Sequence, residues 1–162
     1  MARKFNDWKN AMRKAAVLGF VAVIVAAIGW AGPAAAQTFV AHLTGADQVP
    51  SVETAAVGQA TIILTPGDAL HAVSVGNITD VVAAHLHCAP EGVNGPVGIT
   101  LFAGGPVGSG NLARGQLPDP DGGNSCGWAS IDDAIDDMES GNVYVNVHTI
   151  GNPGGEVRGQ IR

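Results

Sequence analysis

"VVAAHLHCAPEGVNGPVGITLF", Val81 to Phe102, is the stretch from which the fold is read. Its first part alternates: Val82, Ala84 and Leu86 share one face of an extended strand, and Ala83, His85 and His87 share the other, because successive strand side chains point to opposite sides. Pro90, Gly92, Gly95 and Pro96 then interrupt it with residues that favour turns. "VGITLF" resumes as a second short apolar run. The unit is strand, turn, strand.

The same unit recurs on both sides: "TFVAHLT", "GQATIILT" and "ALHAVSV" precede it, and "NLARGQL", "VYVNVHT" and "GEVRGQI" follow. Between them lie turn formers such as "TPGDA", "PDPDGGN" and "GNPGGE". About eight short strands at this spacing predict an all-β antiparallel sandwich or barrel. An outer-membrane barrel does not fit, since it needs strands of about ten residues and aromatic girdles. One segment departs from the period: "SIDDAIDDMESG", Ser130 to Gly141, places Ile131, Ala134, Ile135 and Met138 at helical spacing. Ser130 can cap this helix with Asp133 at its third position, and Gly141 can end it. Asp132, Asp133, Asp136 and Asp137 read as its solvated face.

Met1 to Lys14 carries five of the eight basic residues, and the apolar run Ala15 to Trp30 follows. Gly32 and Pro33 then lead into Ala34-Ala35-Ala36, an A-x-A pattern, so residues 1–36 are expected to be a signal peptide cleaved before Gln37. The alternative is a retained N-terminal anchor. Residues 37–162 would form one domain, with no membrane span after cleavage. That part holds three arginines and no lysine against thirteen acidic residues, a formal charge of three minus thirteen, or −10. Nucleic-acid binding is therefore not expected.

The chain has two cysteines, Cys88 and Cys126. In an exported protein the simplest reading is one disulfide; the alternative is that Cys88, beside His87, ligates a metal as thiolate. Alternation in "VYVNVHT" puts Val143, Val145 and Val147 in the core and Tyr144, Asn146 and His148 on the opposite face. His85, His87 and His148 thus all point away from the apolar side. They could hold one metal ion if their strands are neighbours, which periodicity does not decide, and otherwise they are ordinary outward polar residues. His42 and His71 each stand alone on a strand. No G-x-S-x-G turn and no phosphate-cradling loop before a helix is present, so hydrolase and nucleotide chemistry find no support.

"AAHLHCAPEGVNGPV" and "YVNVHTIGNPGGEVRGQI", with the opening "AHLTGADQVPSVETAAVGQATIIL", resemble the chordin-type CHRD domain over nearly all of Phe39 to Ile161. The resemblance implies an exported binding domain, secreted or periplasmic, with an unknown extracellular or envelope protein as partner. A more distant likeness is similar in residue order to copper/zinc superoxide dismutase: a His-x-His strand, a later V-x-V-H strand, then a Gly-rich turn and an arginine. It implies a Greek-key sandwich, copper-ligand positions at His85, His87 and His148, and an anion-attracting role for Arg158. The departures are an absent zinc set, since no histidine lies between Cys88 and Cys126, and no fourth copper nitrogen unless His42 or His71 folds in. Cys126 also lies outside the last strand.

The expected function is thus a non-enzymatic CHRD-type binding protein with a surface copper site, zinc being second, on His85, His87 and His148. Tyr144, Asn146 and Arg158 would surround it, with Glu156 an alternative partner for Arg158. A structural or adhesive module without metal, and a copper-dependent superoxide dismutase-like oxidoreductase, are the other two readings.

Overall fold

The computed structural model describes residues 36–162, so the expected leader lies, apart from Ala36, outside the described residues. Eight strands form: β1 (Gln37–Thr44), β2 (Val57–Thr65), β3 (Asp68–Gly76), β4 (Val81–Cys88), β5 (Val97–Val107), β6 (Gly110–Gln116), β7 (Val143–Thr149) and β8 (Val157–Gln160). Each carries one of the eight predicted apolar runs. They make one antiparallel sheet in the order β5-β4-β7-β8-β1-β2-β3-β6. Its two end strands, β5 and β6, touch, so the sheet curls into a nearly closed barrel.

The core fills the inside. In β3, Ala69, Val73 and Val75 are buried while Leu70, Ala72 and Ser74 are exposed, the alternation expected of a sheet with one solvated face. Leu43, Leu86, Ile99, Ile161 and the three valines of β7 are all essentially inaccessible. Each such side chain contributes about 1.5–3 kcal/mol of burial. His71 shares the inward face of β3 and is buried against the Gly115 and Gln116 backbone, so it is not a solvated strand histidine.

In β4 the alternation needs one correction. Val81, rather than Val82, packs in the core, because the register shifts between Val81 and Ala83 against both neighbouring strands. A bulge adds a residue and turns the side chains before it to the other face. From Ala83 onward the predicted faces hold.

The helix α1 (Ile131–Glu139) forms as its capping residues predict: Ser130 accepts from the Asp133 backbone N–H, and Asp133 accepts from the Ser130 backbone N–H. Ala134 and Met138 are buried beneath it, whereas Asp132, Asp133 and Asp136 are exposed. Asp137 is used differently, accepting from the indole N–H of Trp128 at 2.7 Å. Cys88 and Cys126 form a disulfide with their Cα atoms 5.7 Å apart, which removes the thiolate-ligand alternative for Cys88.

Candidate metal centre

β4 and β7 are neighbours, which is the condition that periodicity left open. Their register sets Ala83 beside His148, His85 beside Asn146 and His87 beside Tyr144. The small Ala83 leaves room for the His148 imidazole to lean along the sheet toward His85, and the two ring centroids lie 4.8 Å apart. His87 lies 5.7 Å from His85 and 5.8 Å from His148. One ring nitrogen of each histidine lies within 4.8 Å of the others, so the three could hold a metal ion.

The ring orientations are fixed by backbone carbonyls. His87 Nδ1 is 2.9 Å from the Gly95 carbonyl oxygen, and His148 Nδ1 is 3.0 Å from that of Pro153. A carbonyl only accepts, so both Nδ1 atoms carry the proton and each Nε2 keeps a free lone pair. Within the cluster, the buried ring nitrogens left without a partner are His85 Nδ1, His87 Nε2 and His148 Nε2. Metal-binding histidines typically show this division, one nitrogen held by a carbonyl and the other turned to the ion.

Electrostatics keep the cluster unprotonated. Burial pushes His85 down to about 4, with the neighbouring His148 and His87 adding to the effect and Asp121 opposing it. Burial likewise holds His87 and His148 below the usual imidazole range, against the stabilising carbonyls of Gly95 and Pro153. At neutral pH the site therefore offers three uncharged imidazoles.

Three loops cover this face, so it is not the open surface that alternation suggests: Tyr144, Asn146 and Arg158 are buried and His85 and His148 are half-buried. The loop after β4 bends over His87, where Gly95 also exchanges hydrogen bonds with the Tyr144 hydroxyl. Only glycine fits at position 95, since a Cβ would lie 1.9 Å from the Cys88 carbonyl oxygen. The β7–β8 loop supplies Pro153 to His148 and the Gly154 carbonyl to Asn146. From the β1–β2 loop the Gln48 amide meets the Asn146 amide at 2.7 Å.

Arg158 does not pair with Glu156. It donates to Asn94 Oδ1 at 3.1 Å and to the Val93 carbonyl at 2.8 Å, and its guanidinium lies 3.5 Å from the centroid of the Tyr144 ring. Glu156 instead accepts from Thr54, Thr149 and Asn152. Burial acts to raise the Glu156 pKa, but these three donors together hold it below the usual carboxylate range. Neither His42, exposed on β1, nor His71, inside the barrel, supplies a fourth nitrogen.

A profile of the CHRD domain matches residues 39–161. The chain belongs to the CHRD domain family. No curated protein and no solved structure matches it. For the CHRD domain, the residues that alternation could not point to are Gly95, Pro153 and Asp121, which act through main-chain groups or across the sheet. The turn-forming composition of "EGVNGPV" and "GNPGGE" was the only signal for the first two. Asp121 accepts from both the backbone N–H and the hydroxyl of Thr100, the β5 residue paired with His85.

Proposed function

We propose that this CHRD domain is an exported, non-enzymatic binding module whose ligand is a copper ion, or less favourably zinc, held by His85, His87 and His148. The observation that carries this reading is the set of three buried nitrogens without hydrogen-bond partners, two of them left as lone pairs by carbonyls holding the opposite nitrogen. An all-imidazole set suits copper and zinc and is a poor match for magnesium or calcium, which take oxygen ligands. Copper is placed before zinc because a given imidazole set binds divalent copper more tightly than zinc; three histidines with a fourth position left to water would also hold zinc, which is the second reading. Export is supported by the disulfide, which persists in oxidising compartments, and by the expected leader over residues 1–36.

Family membership also supports a protein-binding role, with a partner in the envelope or outside the cell. Dismutase-type turnover has less support, because the arginine that the likeness assigns to anion attraction is buried and committed to Asn94 and Val93. The test is a copper titration of the purified protein followed by electron paramagnetic resonance. One equivalent should bind with nitrogen hyperfine structure in the wild type. A signal unchanged in His85→Ala/His148→Ala would place copper elsewhere and overturn the proposal.

A further inference from the structure

We propose that Arg158 is a specificity determinant of this site, favouring a singly charged metal ion over a doubly charged one by acting across the ring of Tyr144. The inference rests on the three-histidine reading above and adds a preference between Cu(I) and Cu(II).

The geometry is a three-layer stack. Tyr144 lies nearly parallel to His87, with 14° between the planes and 4.8 Å between the centroids. The Arg158 guanidinium lies 3.5 Å from the same tyrosine ring. β7 is flanked by β4 on one side and β8 on the other, so His87 and Arg158 approach Tyr144 from opposite directions. Arg158 and Tyr144 are each 2% exposed and His87 is 7% exposed, so little water screens the charge along this line.

Nor is that charge cancelled by contact. The hydrogen-bond acceptors of Arg158 are an amide oxygen and a backbone carbonyl, both neutral. Asp47 and Glu91 line the same groove as Arg158, but both are exposed, and Glu91 is engaged by Arg162. On the far side of the histidines stands Asp121, which acts in the opposite direction. It is half-buried and committed to Thr100, and the buried Arg158 is the less screened of the two. A metal on His87 would lie roughly 10 Å from the guanidinium, where at an effective dielectric of about 20 one extra unit of positive charge is disfavoured on the order of tenfold.

Tyr144 transmits the effect by holding the two groups in register, and its hydroxyl is anchored on Gly95. Arg158 thus takes a role different from the one its sequence position implies. It is a fixed charge behind a metal ligand.

The test measures Cu(I) and Cu(II) affinities of the full-length protein by competition with a chelator selective for each oxidation state. Arg158→Gln and Arg158→Met remove the charge while filling the space over Tyr144. Each should raise the ratio of Cu(II) to Cu(I) affinity about tenfold, a fall in reduction potential of about 59 mV. Arg158→Lys keeps the charge and should remain within about threefold of the wild type. Either neutral variant suffices if the other does not fold. The inference is overturned if the folded neutral variants leave the ratio within about twofold, or if Arg158→Lys shifts it as far as they do. Absence of copper binding in the wild type would instead refute the three-histidine reading itself.

Discussion

Acid should weaken the metal-free protein through His85. The unfolded imidazole titrates near 6.5, and in the folded protein burial beside His148 and His87 lowers His85 to about 4. Above 6.5 both states are neutral and His85 makes no difference to stability with pH. As pH falls from 6.5 toward 4 the unfolded chain takes up the proton first, so stability is lost through that window and the loss levels off below it. The interval is worth at most about 3 kcal/mol, and screening at this half-exposed side chain reduces that to about 1–2 kcal/mol. The assay is urea unfolding in the presence of a chelator at about pH 7.5 and about pH 4.5, for the wild type and His85→Gln. Subtracting the two proteins cancels Glu156 and the other carboxylates, which are common to both. The wild type should lose about 1–2 kcal/mol more than the variant, a midpoint difference of about 0.5–1 M urea. Equal losses, or a larger loss in His85→Gln, would show that the cluster is not held neutral by its surroundings.

Removing the disulfide by Cys88→Ser/Cys126→Ser opens a loop spanning 38 residues and should lower stability by about 4 kcal/mol in the chain-entropy account, read by denaturant unfolding. Gly95→Ala drives a Cβ against the Cys88 carbonyl and should displace the acceptor of His87 Nδ1, costing about 10–100-fold in copper affinity by chelator competition. His71→Leu removes a buried imidazole whose nitrogens make no well-aligned hydrogen bond and should raise stability by about 1–2 kcal/mol in urea unfolding, with copper binding unchanged. Ser130→Ala removes the helix cap and should cost about 1 kcal/mol, with hydrogen exchange faster in Ile131–Glu139 than in the barrel.

All eight strands and the helix were legible because their signals are local. Period-two alternation marks the strands, Gly- and Pro-rich turns separate them, and Ser130 with Asp133 marks the start of α1. What was not legible depends on contacts distant in sequence. The bulge that turns Val81 inward is set by pairing with β5 and β7. The neighbouring of β4 and β7 brings His148 to His85 across more than sixty residues of chain and leaves no trace in periodicity. The burial of the histidine face comes from loops folding back over it, and loop composition says that a chain turns, not what it covers. Arg158 illustrates the same limit: Glu156 is near in sequence, but the register sends its guanidinium to Tyr144 and the β4–β5 loop.

The contrast between His71 and the three clustered histidines argues for a function on the covered face. Both places leave buried imidazole nitrogens without hydrogen-bond partners, at a cost of about 1–3 kcal/mol each. His71 stands alone inside the barrel against the Gly115 and Gln116 backbone, with neither nitrogen in a well-aligned hydrogen bond. The clustered three are arranged differently. Two have one nitrogen satisfied by a dedicated carbonyl, from Gly95 and from Pro153, and the nitrogens left over lie in the cluster rather than at scattered points. Packing alone gives no reason for loops from two separate hairpins to fix two rings in the same tautomer. A shared cation would, because it would take the lone pairs of His87 and His148 together with the unpartnered nitrogen of His85 and recover the cost that each leaves in the metal-free fold.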